Sequence, residues 1–306
     1  MPCCRCTTRA GPGSTVSWSG RFLGKKHRKK HSGRIPYRWP WIGFWHNPPG
    51  IPRWHNFHDS PQALLAKGVF QESLRRCLGL VVLSEDFRAW LQPRVGVPVV
   101  ALKHPSEIPP LAFTMDRFRN NPHPRLLQVG WWLRRLHSIY QVPVVRLHRS
   151  LLRPDFPLFA RVLQRERKVL GLSCLDEARV EILPFAPPQE YDQLLAENVV
   201  FCHLFATSAN NVVIECIARN TPIVINPLPA IVEYLGADYP LYFDSLEEAA
   251  SKAEDLQLVE SAHQYLTRLP KEWLSALYFR ASLQTSSIYR DLPNPEEIGS
   301  PTSRQE

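Results

Sequence analysis

Along most of the chain, short apolar runs alternate with stretches whose apolar residues recur at helical spacing. The first clear run, 41–46 (Trp-Ile-Gly-Phe-Trp-His), has the length and aromatic content of a buried strand. Ser60-Pro61 follows as a cap with a first-turn proline, predicting a helix to about Cys77. A strand over 80–83, a helix over 84–91 capped by Ser84, and a strand over 97–102 complete this first series. Between His104 and Pro124 five prolines follow the histidine, the composition of a linker. A second series then begins. It has strands at 125–129, 180–183, 199–204 and 222–225, and helices at 154–170, 189–196, 208–219 and 230–235. Gly236 stops the last of these helices, and Ser245 with Glu248 makes a capping box for the next. Strands alternating with helices predict an α/β protein with doubly wound parallel sheets.

This pattern divides the chain. Residues 1–34 are rich in Cys, Gly, Ser and basic residues without periodicity, and are expected to be a disordered basic tail. A partial N-terminal domain spans 35–103, the linker 104–124, and a C-terminal domain 125–268. A helix at 269–290 can pack back on the N-terminal domain, and a second disordered tail covers 291–306. A doubly wound domain carries about six strands, whereas only three precede the linker, so the N-terminal domain reads as incomplete.

Composition narrows the function classes. The 306 residues are 44% hydrophobic and 21% charged, in the globular range. No apolar run reaches the roughly 20 residues of a membrane span, and the first residues lack the apolar middle of a secretory signal. Cys77, Cys174, Cys202 and Cys216 lie in apolar stretches, as reduced core residues of a cytoplasmic protein do. Cys3, Cys4 and Cys6 have no second ligand pair at zinc-finger spacing, so no metal is expected. The net charge of +9 is concentrated in the basic run 25–31. That run can make weak contact with anionic surfaces, including a membrane to which the protein would be peripheral. It has no interleaved aromatic residues for stacking bases, so specific nucleic-acid binding is not expected.

In an open parallel sheet, ligands bind beyond the carboxyl ends of the strands. The clearest candidate turn is 204–211, leading from a strand into the helix that carries Glu215. Its small residues let a ligand approach the backbone, and the free N–H groups of a first helical turn can hold a diphosphate. Two turns along, Glu215 can accept paired hydrogen bonds from ribose hydroxyls. An ordinary capped helix with a surface Glu fits the same local pattern.

The segment from Ser208 (Ser-Ala-Asn-Asn-Val-Val-Ile-Glu-Cys-Ile-Ala-Arg-Asn-Thr-Pro-Ile-Val-Ile-Asn), with Glu233-Tyr-Leu-Gly after it, resembles the donor-binding signature of retaining GT-B-fold glycosyltransferases. The stretch from Leu127 (Leu-Gln-Val-Gly-Trp-Trp-Leu-Arg-Arg) resembles the opening of their C-terminal domain. Residues 41–49, with His46-Asn-Pro-Pro, resemble the late N-domain strand whose His faces the donor sugar. The resemblance covers about residues 35–255. It implies two facing Rossmann-like doubly wound domains, the N-terminal one incomplete here. It implies Glu215 as the ribose ligand, Thr207, Ser208, Ala209, Asn210 and Asn211 as the donor-binding turn, Arg134 or Arg135 on the donor phosphates, and His46 as the catalytic residue at the sugar. Thr207 stands where the family has the first Glu of its pair, which contacts the sugar.

The function implied is transfer of a sugar from a nucleotide-diphosphate sugar to a glycan, polysaccharide-type or lipid-linked acceptor, with no cofactor and no metal. The alternative is a catalytically degenerate nucleotide-sugar-binding or scaffold protein. On the residues alone, Arg134 and Arg135 equally fit a surface pair flanking a buried Trp, and His46 equally fits a turn cap. His203 reads as a structural histidine, Glu233 as packing, and Lys103 and His104 as the start of the linker.

Overall fold

The computed structural model describes residues 15–18, 36–37, 39–153, 157–172, 177–184 and 186–292. The chain forms two compact units. One takes in the chain through Asn47, His58–Leu102 and the chain from Ala281; the other takes in Pro48–Phe57 and Lys103–Arg280.

The first unit holds a four-stranded parallel sheet made of β1 (Thr15–Trp18), β2 (Trp41–Trp45), β3 (Cys77–Val82) and β4 (Val99–Ala101), in that spatial order. β1 corrects the expectation of a structureless tail over its four residues, and raises the strand count from three to four. The basic run 25–31 and Cys3, Cys4 and Cys6 lie outside the described residues. In β2, Trp41, Gly43 and Trp45 alternate toward the buried side. Trp45 meets Phe70 at 5.4 Å and Phe87 at 6.1 Å between ring centroids, and the Trp41 indole donates to the Ser73 carbonyl at 2.8 Å. Ser60 caps its helix as expected, accepting from Ala63 N at 3.1 Å. The expected helix to Cys77 is two, however: Pro61–Leu65 and Gly68–Leu74. Lys67 is extended at the break, beside a glycine of poor helix propensity, and Cys77 opens β3. Ser84 caps Glu85–Leu91 through Phe87 N at 3.2 Å. The helix Ser287–Arg290 also belongs to this unit. A Cβ built on Gly79 would lie 2.5 Å from Ile288, so the strand admits the helix only because position 79 has no side chain.

The second unit holds five parallel strands: β5 (Arg125–Val129), β6 (His148–Leu152), β7 (Glu181–Leu183), β8 (Val199–Cys202) and β9 (Ile223–Ile225). Their order is β7-β6-β5-β8-β9. β8 and β9 are fully buried and read as unbroken apolar runs, as strands covered on both faces do. β6 was not anticipated, because it opens on His148-Arg149. The stretch expected to be a linker is part of this unit: Thr114 caps the helix Met115–Arg119, and Phe113, Met115 and Phe118 enter the core. Its flanking prolines conceal a short amphipathic turn. Ser245 accepts from Glu248 N at 3.1 Å; the Glu248 carboxylate reaches back to Asp244 N, at 2.8 Å, rather than to Ser245 N.

In sequence, the strands build outward on one side of β5 as β6 and β7, then return to its other side as β8 and β9. The order therefore reverses between β5 and β8, and a crevice opens beyond the carboxyl ends of those two strands.

Candidate functional site at the β5–β8 switch point

Two turns leave the carboxyl ends of β5 and β8. The first begins at Gly130, whose φ of +77° suits a glycine. The second carries residues 203–210 into the helix Asn211–Arg219. Backbone bonds lace them together: Arg135 N donates to His203 O at 2.7 Å, and Phe205 N to Leu133 O at 2.9 Å. Leu133 sits at φ +57°, uncommon for a branched side chain, within this lacing. From β9, the Asn226 amide accepts from Leu204 N at 2.8 Å and donates to Leu204 O at 3.2 Å, fixing the second turn from its other side.

Arg134 is the side chain that joins the turns. It is buried, and its nitrogens donate to Val129 O at 3.2 Å, Trp132 O at 2.8 Å and Asn210 Oδ1 at 3.0 Å. The guanidinium lies 3.0 Å from where a Cβ on Gly130 would stand. Arg134 therefore does not fit the reading of a surface pair; it is buried and joins the two turns. Arg135 is half-buried, with its guanidinium carbon 4.5 Å above the Phe205 ring. Its Nε is buried and has no hydrogen-bond partner among the described residues.

The helix begins at Asn211, three residues later than the pattern predicted, because Asn210 is the cap. Its Oδ1 accepts from Val212 N at 3.1 Å as well as from Arg134. The other first-turn N–H groups have no carbonyl acceptor within the helix, the general condition under which a helix start can hold an anion. Ser208 is buried in the turn, Thr207 and Ala209 are half-buried, and Asn211 is exposed. Asn220 closes the helix at φ +59°, the left-handed cap that Asn tolerates.

Glu215 lies on this helix, half-buried. Burial raises its pKa above the usual carboxylate range; the Tyr191 hydroxyl bonded to it and the nearby Arg219 and Arg134 pull it back. Tyr191 and Asp192, from the helix Pro188–Glu197, had no recognisable signal in the sequence; Asp192 pairs with Arg219.

His203 belongs to the packing, as expected. Ser138 Oγ lies 2.8 Å from its Nδ1, and burial, then the Arg135 charge, lowers its pKa to about 4. Lys103 sits over the rings of Trp273 and Tyr234, at 5.0 and 5.7 Å, and His104 N donates to the Tyr234 hydroxyl at 3.1 Å. His46 follows β2 in the first unit, half-buried. Among the described residues, no group of three His, Cys, Asp or Glu is placed to hold a metal ion, and no helix is long and apolar enough to cross a membrane.

The segment Pro48–Phe57 also meets these turns, which sequence reasoning missed. Trp54 packs edge-on against Phe205 at 5.4 Å, and His55 stacks on Trp131 at 6.3 Å and meets Trp132 at 4.9 Å. His55 is buried, neither ring nitrogen has a partner among the described residues, and burial lowers its pKa to about 4. The only available sign was its position, in a loop that follows a strand end.

Two parallel sheets in one α/β chain are matched by known structures. The UDP-forming trehalose-phosphate synthase of Burkholderia xenovorans matches with a TM-score of 0.58 and 13% identity, over 82% of this chain and 68% of that one. Sucrose-phosphate synthase of Thermosynechococcus elongatus matches at 0.57 and 16%, over 83% and 68%. Anabaena HepE in complex with UDP-glucose matches at 0.56 and 14%, over 80% and 71%. The chain has the GT-B fold. No family model and no curated protein matches the sequence. The signature around Glu215 thus sits on the fold that the resemblance implied.

Proposed function

We propose that this protein is a glycosyltransferase that takes a sugar from a nucleotide-diphosphate donor, with the diphosphate at the β5–β8 switch point. The observation that carries this is Arg134, which ties the Gly130 turn to the Asn210 helix cap, with Arg135 the next residue along that turn. HepE, of the same fold, has been captured with UDP and with UDP-glucose. In this reading, Glu215 accepts the ribose hydroxyls, and residues Thr207, Ser208, Ala209, Asn210 and Asn211 line the phosphates. Arg135 and the helix N-terminus stabilise the charge that gathers on the leaving diphosphate, which requires no metal and no cofactor. His46 is the proposed catalytic residue at the sugar, and the acceptor is a glycan, polysaccharide-type or lipid-linked molecule. Cytoplasmic residence, peripheral to a membrane through the basic run, completes the proposal.

Thr207 favours a second reading. With a short hydroxyl side chain where the family carries a Glu, the protein would bind nucleotide sugars without transferring them. A thermal-shift screen of nucleoside diphosphates and their sugars tests the reading common to both, because a ligand of the native state raises the melting temperature by mass action. A shift with one nucleotide series supports it, and no shift with any overturns it. Release of free nucleotide from the stabilising donor then separates enzyme from binder.

A further inference from the structure

Glu215 is not held by its own helix alone. The helix Pro188–Glu197 presents two successive residues to it and to its neighbour: the Tyr191 hydroxyl donates to Glu215 Oε2, and Asp192 Oδ1 accepts from Arg219. Arg219 closes the ring, donating to Glu215 O at 3.2 Å with its guanidinium carbon 6.0 Å from the Tyr191 ring centre. Two side-chain pairs on two helices, Tyr191 with Glu215 and Asp192 with Arg219, are thus linked through the Glu215 carbonyl.

We propose that Tyr191 is a positioning residue for nucleotide recognition: its hydroxyl fixes the Glu215 carboxylate in the orientation that accepts the ribose hydroxyls. This rests on the reading of Glu215 as the ribose ligand. A carboxylate has two oxygens, and one committed to a phenol leaves the other for the ligand. The bond also sets rotation about the terminal carboxyl torsion, which is otherwise broad. Packing alone would be served by Phe.

The arrangement has a consequence for pH. The groups facing Glu215 are Tyr191 and Asp192 from the neighbouring helix, Arg134 from the β5 turn, and Arg219 and Cys216 from its own helix. Burial and Asp192 favour the protonated acid; Tyr191, Arg219 and Arg134 oppose them. Removing the phenol takes away the largest opposing influence, so the carboxyl binds its proton at higher pH. A protonated Glu215 is a poorer acceptor for two hydroxyls at once.

The test is calorimetric titration of UDP and 2′,3′-dideoxy-UDP into the full chain, wild type and Tyr191→Phe, at about pH 8 and about pH 6. The wild type is expected to prefer UDP by about tenfold or more at both values, as for hydroxyls bonded to a charged group. Tyr191→Phe should lose part of that preference, and more of it at the lower pH than at the higher. In a Glu215→Gln background, Tyr191→Phe should change the preference no further, since no carboxylate remains to be held. If Tyr191→Phe keeps the wild-type preference at both pH values, whatever its melting temperature, Tyr191 has only a structural role and the proposal is overturned while Glu215 stands. If the wild type itself shows no preference for the ribose hydroxyls, the assignment of Glu215 and this proposal fall together.

Discussion

The two parallel sheets differ in strand order. Among the described residues, the first runs β1-β2-β3-β4 and never reverses; the second runs β7-β6-β5-β8-β9 and reverses once. A sheet wound in one direction closes the space beyond its strand ends with successive connections. A reversal sends two neighbouring connections to opposite faces, and a crevice is left between them. The difference explains where the polar resources lie. The second unit places Arg134, Arg135, Asn210 and Glu215 around the reversal, whereas the first devotes its sheet to packing, with Trp41, Trp45, Phe70 and Phe87 in one cluster.

Four substitutions test this difference between the two units. Arg134→Ala should have the largest effect, because it leaves a buried space and takes one donor from each of three acceptors, of which Asn210 Oδ1 keeps its bond from Val212 N. A loss of about 3 kcal/mol in unfolding free energy by denaturant titration, together with loss of UDP binding, is expected. A variant as stable as wild type would mean the turns hold their geometry without the arginine. Arg135→Ala should leave stability nearly unchanged and weaken UDP by about 1.5–3 kcal/mol, with the affinity for uridine unaltered. Equal losses for UDP and uridine would place Arg135 away from the phosphates. Gly79→Ala should cost about 1–3 kcal/mol of stability through its clash with Ile288, yet leave nucleotide affinity as it was. A large drop in affinity would contradict the assignment of nucleotide binding to the second unit.

The smallest effect concerns pH. His55 has a pKa of about 4 against an ordinary 6.5, so between these values the unfolded chain binds a proton that the folded chain excludes. The contribution of this neutral histidine is complete above about 6.5 and is lost as pH falls toward 4. His55→Phe should keep the aromatic packing and flatten melting temperature against pH through that window. An unchanged profile would assign the acid sensitivity to other groups, His203 first among them.

What the sequence disclosed follows a physical rule. β8 and β9 could be read directly because strands buried on both faces are apolar at every position. The caps at Ser60, Ser84 and Ser245 could be read because a cap acts within three residues. β1 and β6 were hidden: the former lies in a polar stretch that offers four residues of strand, and the latter starts with charge at the edge of its ladder. At the site, the turn and Glu215 were visible as a local signature. Tyr191, 24 residues from Glu215, and the aromatic contacts of Trp54 and His55 were not, because periodicity reports which face of an element is buried and not which distant loop meets it. The different surroundings of Arg134 and Arg135 were equally hidden, since adjacent arginines carry the same charge.

The central claim is that the reversal between β5 and β8 is a nucleotide-diphosphate site with Glu215 on the ribose. Calorimetric titration of UDP into the wild type and into Glu215→Ala tests it most directly. The account predicts binding to the wild type, and a loss of about 1–3 kcal/mol in a variant that remains folded. Equal affinity in the two proteins, or a folded wild type that binds no nucleoside diphosphate, would contradict it.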